Sequence, residues 1–176
     1  MSLPQLSGAR VLLVPVSHPV ALAVVTHAGA ALAAALAADG LCAGAGWPHE
    51  DTADGLRGLA EHGGPGDDGG WLIVLRKGGQ VVGDCGRRGG AARPGDRELG
   101  YGLAAPFRRQ GLAGEAVAQL AAWTEQEPGV RRLTAEVLVG NEPSLRLLAR
   151  LGFGPDPVAA PPPYVRLVRP VAAAGT

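Results

Sequence analysis

The chain reads as a mixed α/β domain. Compact runs of Val, Leu and Ile alternate with Ala- and Leu-rich runs of helical spacing. The segment Glu98–Val139 has the form strand–helix–strand, and nothing divides the 176 residues into repeats or linked halves. A crossover of that length joins parallel neighbours, so its two strands are expected side by side and parallel.

The first strand is expected over 9–16, containing "RVLLVPV". Residues 18–38, with Pro19 at the start and apolar groups on most faces, read as one helix. No charged residue occurs from Val11 to Ala38, so the run can also be read as a leader or a membrane span, with Arg10 ahead and "ALAADG" as a cleavage site. Pro15, Pro19, His18, His27 and the change of period midway argue against that. Segment 40–70 is glycine-rich and polar, and "EDTADGLRGLAEH" within it reads as a short helix capped by Asp51 or Thr52. "WLIVLR" (71–76) and "QVVGDCG" (80–86) are strands joined by the turn "KGG".

After a flexible loop, "RRGGAARPGD", the strand "RELGYGL" (97–103) alternates apolar and polar positions. A helix is expected over 110–126, because Ala113, Ala116, Val117, Leu120, Ala121 and Thr124 share one face. "RRLTAEVLV" (131–139) is a strand. A helix follows from near Asn141, with Pro143 in its first turn and Gly152 stopping it. "PPPYVRLVRP" holds a short strand, and 171–176 form a disordered tail to a single domain over 1–170.

Composition narrows function. Lys plus Arg and Asp plus Glu both number 16, so the net charge is zero, against the basic field of a direct nucleic-acid binder. Cys42 and Cys85 make no disulfide framework, and Cys85 reads as a small buried strand residue. His18, His27, His49 and His62 lack zinc spacing, so no metal is expected. The expected setting is the cytoplasm, away from membranes, as a monomer or homodimer.

One stretch carries chemistry. "FRRQGLAGE" (107–115) lies where a strand gives way to a helix. The first N–H groups of a helix are unpaired and carry the positive end of its dipole, glycine admits an anion to the backbone, and arginines add charge. The spacing is neither the P-loop pattern nor GxGxxG. Read alone it is either a phosphate site or a basic helix start.

"ELGYGLAAPFRRQGLAGEAVAQLAAW" followed by "RRLTAEVLVGNEPSLRLLARLGF" resembles the GNAT superfamily of N-acetyltransferases, in particular the branch with ribosomal-protein N-terminal acetyltransferases. The signature Arg/Gln-x-x-Gly-x-Gly/Ala appears as Arg108 to Ala113, with Glu115-Ala116, Asn141, Ser144 and "LGF" (151–153) also fitting. The resemblance implies a mostly antiparallel, splayed sheet flanked by helices, and acetyl-CoA as acetyl donor to an amine-bearing acceptor, a small molecule or a protein N-terminus. It implies that the backbone of Arg109, Gln110, Gly111, Leu112, Ala113 and Gly114 cradles the pyrophosphate, assisted by the Arg108 side chain. Gly102 and Leu103 would pair with the pantetheine amides as an added strand does. Asn141 would reach the pantetheine arm, and equally reads as a helix N-cap.

In this family the amine attacks the thioester directly and must be neutral. An α-amine of pKa near 8 is about a tenth neutral at pH 7, whereas a lysine is neutral in about one molecule in a few thousand. Glu98 is the candidate base and acceptor-positioning residue; it can also be a solvated strand residue or a partner of Arg97 or Arg131. Many family members place an acidic tyrosine four residues after the position of Ser144; here that position is Leu148. Ser144 is the substitute candidate, with backbone hydrogen bonding as its other reading. The acceptor site is expected from 40–70, which carries Trp47, His49, Glu50, Asp51, Asp54, His62, Asp67 and Asp68 with only Arg57 opposing, and which reads equally as a solvated loop; Trp47, the substrate-binding candidate, is expected to be ordered because its ring needs burial. The alternative function is a non-catalytic module that keeps the fold and the CoA site.

Overall fold

Alternation of apolar side chains sets the strands. The computed structural model describes residues 3–62, 69–90 and 93–172. It contains β1 (Leu6–Ser7), β2 (Val11–Pro15), α1 (His18–Val25), α2 (Gly29–Ala38), β3 (Cys42–Ala43), α3 (Thr52–His62), β4 (Gly69–Leu75), β5 (Gln80–Gly89) and β6 (Asp96–Leu103). After a 3-10 turn at Ala105–Phe107 come α4 (Leu112–Thr124), β7 (Arg132–Leu138), α5 (Glu142–Arg150), β8 (Gly154–Pro155) and β9 (Tyr164–Pro170). The described chain forms two compact units, Met1–Gly86 with Tyr101–Leu120, and Arg87–Gly100 with Ala121–Thr176.

In the first unit the strand order is β1-β2-β4-β5-β6, with β3 parallel beside β5. β2 pairs antiparallel with β4 from Val11↔Leu75 to Pro15↔Trp71. Trp71, Leu72, Ile73 and Val74 are all buried, as suits a central strand covered on both faces. Leu72 and Val74 pack with Val20, Val24, Leu36, Leu56 and Trp47 into one core.

The sequence pattern suggested one helix over 18–38; the structure breaks it into two. His27 takes φ 53°, its N–H donates to Val24 O at 3.1 Å, and Ala28 N donates to Ala23 O at 2.9 Å. That is a Schellman ending with histidine at the left-handed position, which histidine tolerates better than most side chains. The break escaped notice because glycine usually marks it. The two-residue strands β1, β3 and β8 were also too short to show a period.

In the second unit the order is β5-β6-β7-β9-β8. β6 and β7 are parallel, as the crossover required, with Asp96↔Arg132, Arg97↔Leu133 and Glu98↔Thr134. The ladder stops there among the described residues, although β7 runs on to Leu138. β7 and β9 pair antiparallel along their whole length. Asn141 caps α5, its Oδ1 accepting from Ser144 N at 3.3 Å. Gly152, at φ 84°, ends α5 in a second Schellman motif, with Phe153 N bonded to Leu148 O at 3.0 Å. The architecture is the expected mixed α/β one, with nine strands among the described residues, mostly antiparallel. The expected tail lies mainly in 173–176, outside the described residues.

Candidate functional site

The strand-to-helix turn is built by backbone strain and side-chain braces. β6 ends at Leu103, Pro106 lies in the 3-10 turn, and Arg108 is extended at φ −71°, ψ 162°. Arg109 then turns left-handed at φ 62°, and Gly111 repeats this at φ 77°. A left-handed arginine is uncommon and strained by about 1–2 kcal/mol, which marks a loop fixed for a purpose. α4 begins at Leu112, and its first i to i−4 bond is Glu115 N to Gly111 O at 3.2 Å. The N–H groups of Leu112, Ala113 and Gly114 precede that bond and have no helical partner. A Cβ on Gly114 would meet nothing within 4 Å, so the helix mouth is open there.

Three side chains hold this turn. Gln110 Nε2 donates to Pro106 O at 3.0 Å, and Arg108 Nε donates to Leu103 O at 2.8 Å. Arg10, at the start of β2, donates from Nη1 to Gln110 O at 2.8 Å and from Nε to Glu115 Oε2 at 2.9 Å. Glu115 Oε1 also accepts from the backbone N–H of Arg10 at 2.7 Å and of Val11 at 3.2 Å. Burial works to raise the Glu115 pKa, and the bonds from Arg10 and Val11 outweigh it, holding the carboxyl below its ordinary value. Arg10 was not among the sequence candidates. The available signal was Glu115 itself, a helix-start carboxylate needing a partner.

The Arg108 guanidinium therefore braces the end of β6, while Arg109 is exposed. Leu103 is buried and its carbonyl is the one Arg108 engages. Gly102 is covered: a Cβ there would lie 2.4 Å from His49 Cε1 and 2.5 Å from His49 Nε2.

His49 sits in a cluster on Asp84 of β5. Asp84 Oδ2 accepts from Trp47 Nε1 at 3.0 Å and Thr52 Oγ1 at 2.8 Å, and lies 3.2 Å from His49 Nε2. That last contact is an ion pair when the ring is protonated. His49 N donates to Thr52 Oγ1 at 3.1 Å. The contact with Asp84 raises the His49 pKa; burial and Arg108 oppose it, and Asp51 adds to it. Trp47 is buried, as expected. Sequence reasoning passed over Asp84, whose signal was a lone carboxylate inside an apolar strand. Glu50, Asp51 and Asp54 of the expected acidic wall are exposed, with Asp54 paired to Arg57 at 2.9 Å; Asp67 and Asp68 lie outside the described residues.

Thus the first unit carries Trp47, Gly102, Leu103 and Arg108–Gly114, and the second carries Glu98, Asn141 and Ser144. Glu98 pairs with Arg88, Nη2 to Oε1 2.6 Å, and its side chain is 12% exposed. Glu98 shares a face of β6 with Gly100, where a Cβ would meet nothing within 4 Å. Leu148, at the position of the family's tyrosine, is fully buried in the core. Cys85 is buried as expected, and burial pushes its thiol pKa up; Cys42 is exposed. Among the described residues no cluster of His, Cys, Asp and Glu could hold a metal, and no helix is long and apolar enough to cross a membrane.

Known proteins resemble this chain in sequence and in fold. Residues 22–154 match the family model of the acetyltransferase (GNAT) domain. An uncharacterized N-acetyltransferase of Bacillus subtilis, YjdG, is 32% identical over 83 residues, 47% of this chain and 49% of that protein, so the match spans about half of the relative. An acetyltransferase from Agrobacterium tumefaciens has the same fold, with TM-score 0.64 and 22% identity over 96% of this chain and 95% of that one. RimJ of Mycobacterium smegmatis, solved in complex with CoA-disulfide, aligns with TM-score 0.60 and 20% identity over 95% of this chain and 87% of that one.

Proposed function

Because the chain belongs to the GNAT acetyltransferase family, we propose that it transfers an acetyl group from acetyl-CoA to a primary amine, most readily the α-amine of a protein or peptide. The observation that carries this reading is the doubly left-handed turn at Arg109 and Gly111, running into the open start of α4. Such a turn with free N–H groups fits a pyrophosphate without any added residue. The backbone from Arg109 to Gly114 would hold the diphosphate, and the exposed Arg109 side chain would add charge. Gly102 and Leu103, beyond the end of the β6–β7 ladder, offer a strand edge to pantetheine amides, and Asn141 caps α5.

When bound, acetyl-CoA supplies the thioester carbonyl that the amine attacks, with the CoA thiolate leaving. The chain's own task is to orient the amine and to receive its proton. Glu98, which also pairs with Arg88, is the acceptor of that proton or the anchor of the ammonium. A carboxylate is sufficient for an α-amine, which is about a tenth neutral at pH 7, and insufficient for lysine. Ser144 keeps its hydroxyl for the thiolate, while Leu148, buried in the core, offers no proton. The thiolate, of pKa around 8.5, leaves without a strong acid. We place the activity in the cytoplasm, consistent with two unpaired thiols.

The second reading, a CoA-binding module without turnover, draws on the leucine at position 148. Thiol release from acetyl-CoA, with peptides bearing a free α-amine, Nα-blocked lysine peptides and polyamines, separates the two. Release with free-α-amine peptides supports the enzyme. Release only with lysine or polyamine overturns the acceptor class, and CoA binding without release from any amine overturns the enzyme.

A further inference from the structure

Gly102 belongs to the stretch of β6 whose edge the proposed function assigns to the acetyl-CoA arm. Its Cα is covered by an imidazole, not by open space: the His49 ring stands where a side chain would be, 2.4 Å from the Cβ position. The ring has little room to move. Its side chain is 7% exposed and its Nε2 faces Asp84 Oδ2 at 3.2 Å. Its backbone N–H is tied to Thr52 Oγ1, whose hydroxyl donates to the same Asp84 oxygen. Trp47 Nε1 donates to that oxygen as well. One carboxylate oxygen thus fastens Trp47, His49 and Thr52 to β5, and the fastened ring presses on β6. Arg108 holds the next carbonyl along, at Leu103. The strand end is set by His49 at one residue and by Arg108 at the next.

We propose that His49, clamped by Asp84 and seated on Gly102, is a positioning residue that fixes the end of β6 for the acetyl-CoA arm. This rests on the proposed acetyl-CoA site. Nε2 faces Asp84 in either protonation state, and in the neutral ring Nδ1 accepts a long bond from Asp51 N at 3.4 Å, which the charged ring gives up in exchange for the ion pair. Neither is left to take the amine's proton, so His49 acts through Gly102 and not on the substrate. Its consequence falls on CoA affinity more than on the chemical step. The charged groups that face the ring are Asp84 from β5, Asp51 at the start of α3, and Arg108 after the 3-10 turn. The two carboxylates favour the cationic ring and Arg108 disfavours it. The clamp is therefore strongest when the ring is charged, and it slackens as pH rises through the His49 titration.

The test uses the full chain, CoA and isothermal titration, so no acceptor is needed. His49→Ala is expected to weaken CoA binding about tenfold, while His49→Gln, which fills part of the ring's place and whose amide can donate to Asp84, recovers part of it. In wild type, the dissociation constant should rise with pH in step with the His49 ring signal followed by NMR, and Asp84→Asn should abolish that step. In steady state with acetyl-CoA, His49→Ala should raise KM and leave kcat within about twofold. Unchanged CoA affinity in a folded His49→Ala variant overturns the inference alone, as does a loss confined to kcat. If His49→Ala does not fold, the wild-type pH series decides, and a flat dissociation constant across the histidine titration overturns it. A wild-type chain that binds no CoA at all overturns this inference together with the proposed function.

Discussion

Replacing Gly111 by valine should weaken CoA binding far more than removing the Arg109 side chain. Gly111 sits at φ 77°, a conformation that costs an L side chain about 1–2 kcal/mol. Its Cβ would lie 3.2 Å from Arg10 Nη2, so the guanidinium must shift. That shift disturbs the 2.8 Å bond from Arg10 to Gln110 O, worth about 0.5–1.5 kcal/mol. The two terms together come to roughly 1.5–3.5 kcal/mol, or about 10- to 300-fold in the dissociation constant if the turn must hold its shape to bind. Arg109→Ala removes one exposed cation and leaves the turn in place, for roughly 0–1 kcal/mol. Calorimetric titration of both variants with CoA, each first checked for folding by circular dichroism, gives the comparison. If Arg109→Ala proves the more damaging, the diphosphate is held by side-chain charge and the backbone cradle is the wrong account.

Other outcomes follow from the same contacts. Glu115→Ala removes the acceptor of two backbone N–H groups and of Arg10, and should lower stability by about 1–2 kcal/mol in urea unfolding, after discounting the half-exposed guanidinium. Since the Glu115 pKa is lowered on folding, its contribution is full above the ordinary carboxylate value and fades as pH falls through the folded one; the stability gap between wild type and the variant, measured by urea unfolding across a pH series, should therefore narrow in acid. Leu148→Tyr places a ring in a fully buried site, so it should destabilise by about 1–3 kcal/mol in a thermal melt and bring no increase in kcat. Asn141→Ala removes the α5 cap and should cost about 1 kcal/mol; a much larger loss of CoA affinity than of stability would assign it a direct cofactor contact.

Much of this was legible in the sequence where a pattern repeats. The parallel β6–β7 pair followed from crossover length alone, and Trp47 was expected to be buried because its ring has no good place in water. The cap at Asn141 followed from the residue type and the proline two positions on. The break in the first helix was not legible, because His27 fills a position where glycine normally gives the signal. The side-chain partners were least legible. Arg10 reaches Glu115 across 105 positions, and His49 reaches Gly102 across a turn no periodicity describes. Long-range polar pairs depend on tertiary placement, and a single sequence carries only the unpaired halves.

The central claim is that this chain moves acetyl directly from CoA to an α-amine. The measurement that bears on it most directly is a single-turnover reaction of the full chain with acetyl-CoA and a short peptide, with the intact masses of peptide and protein followed together. Direct transfer leaves an acetyl group on the peptide's α-amine, released CoA thiol in equal amount, and no acetylated protein at any time. CoA bound to the chain with neither peptide acetylated nor thiol released would contradict it.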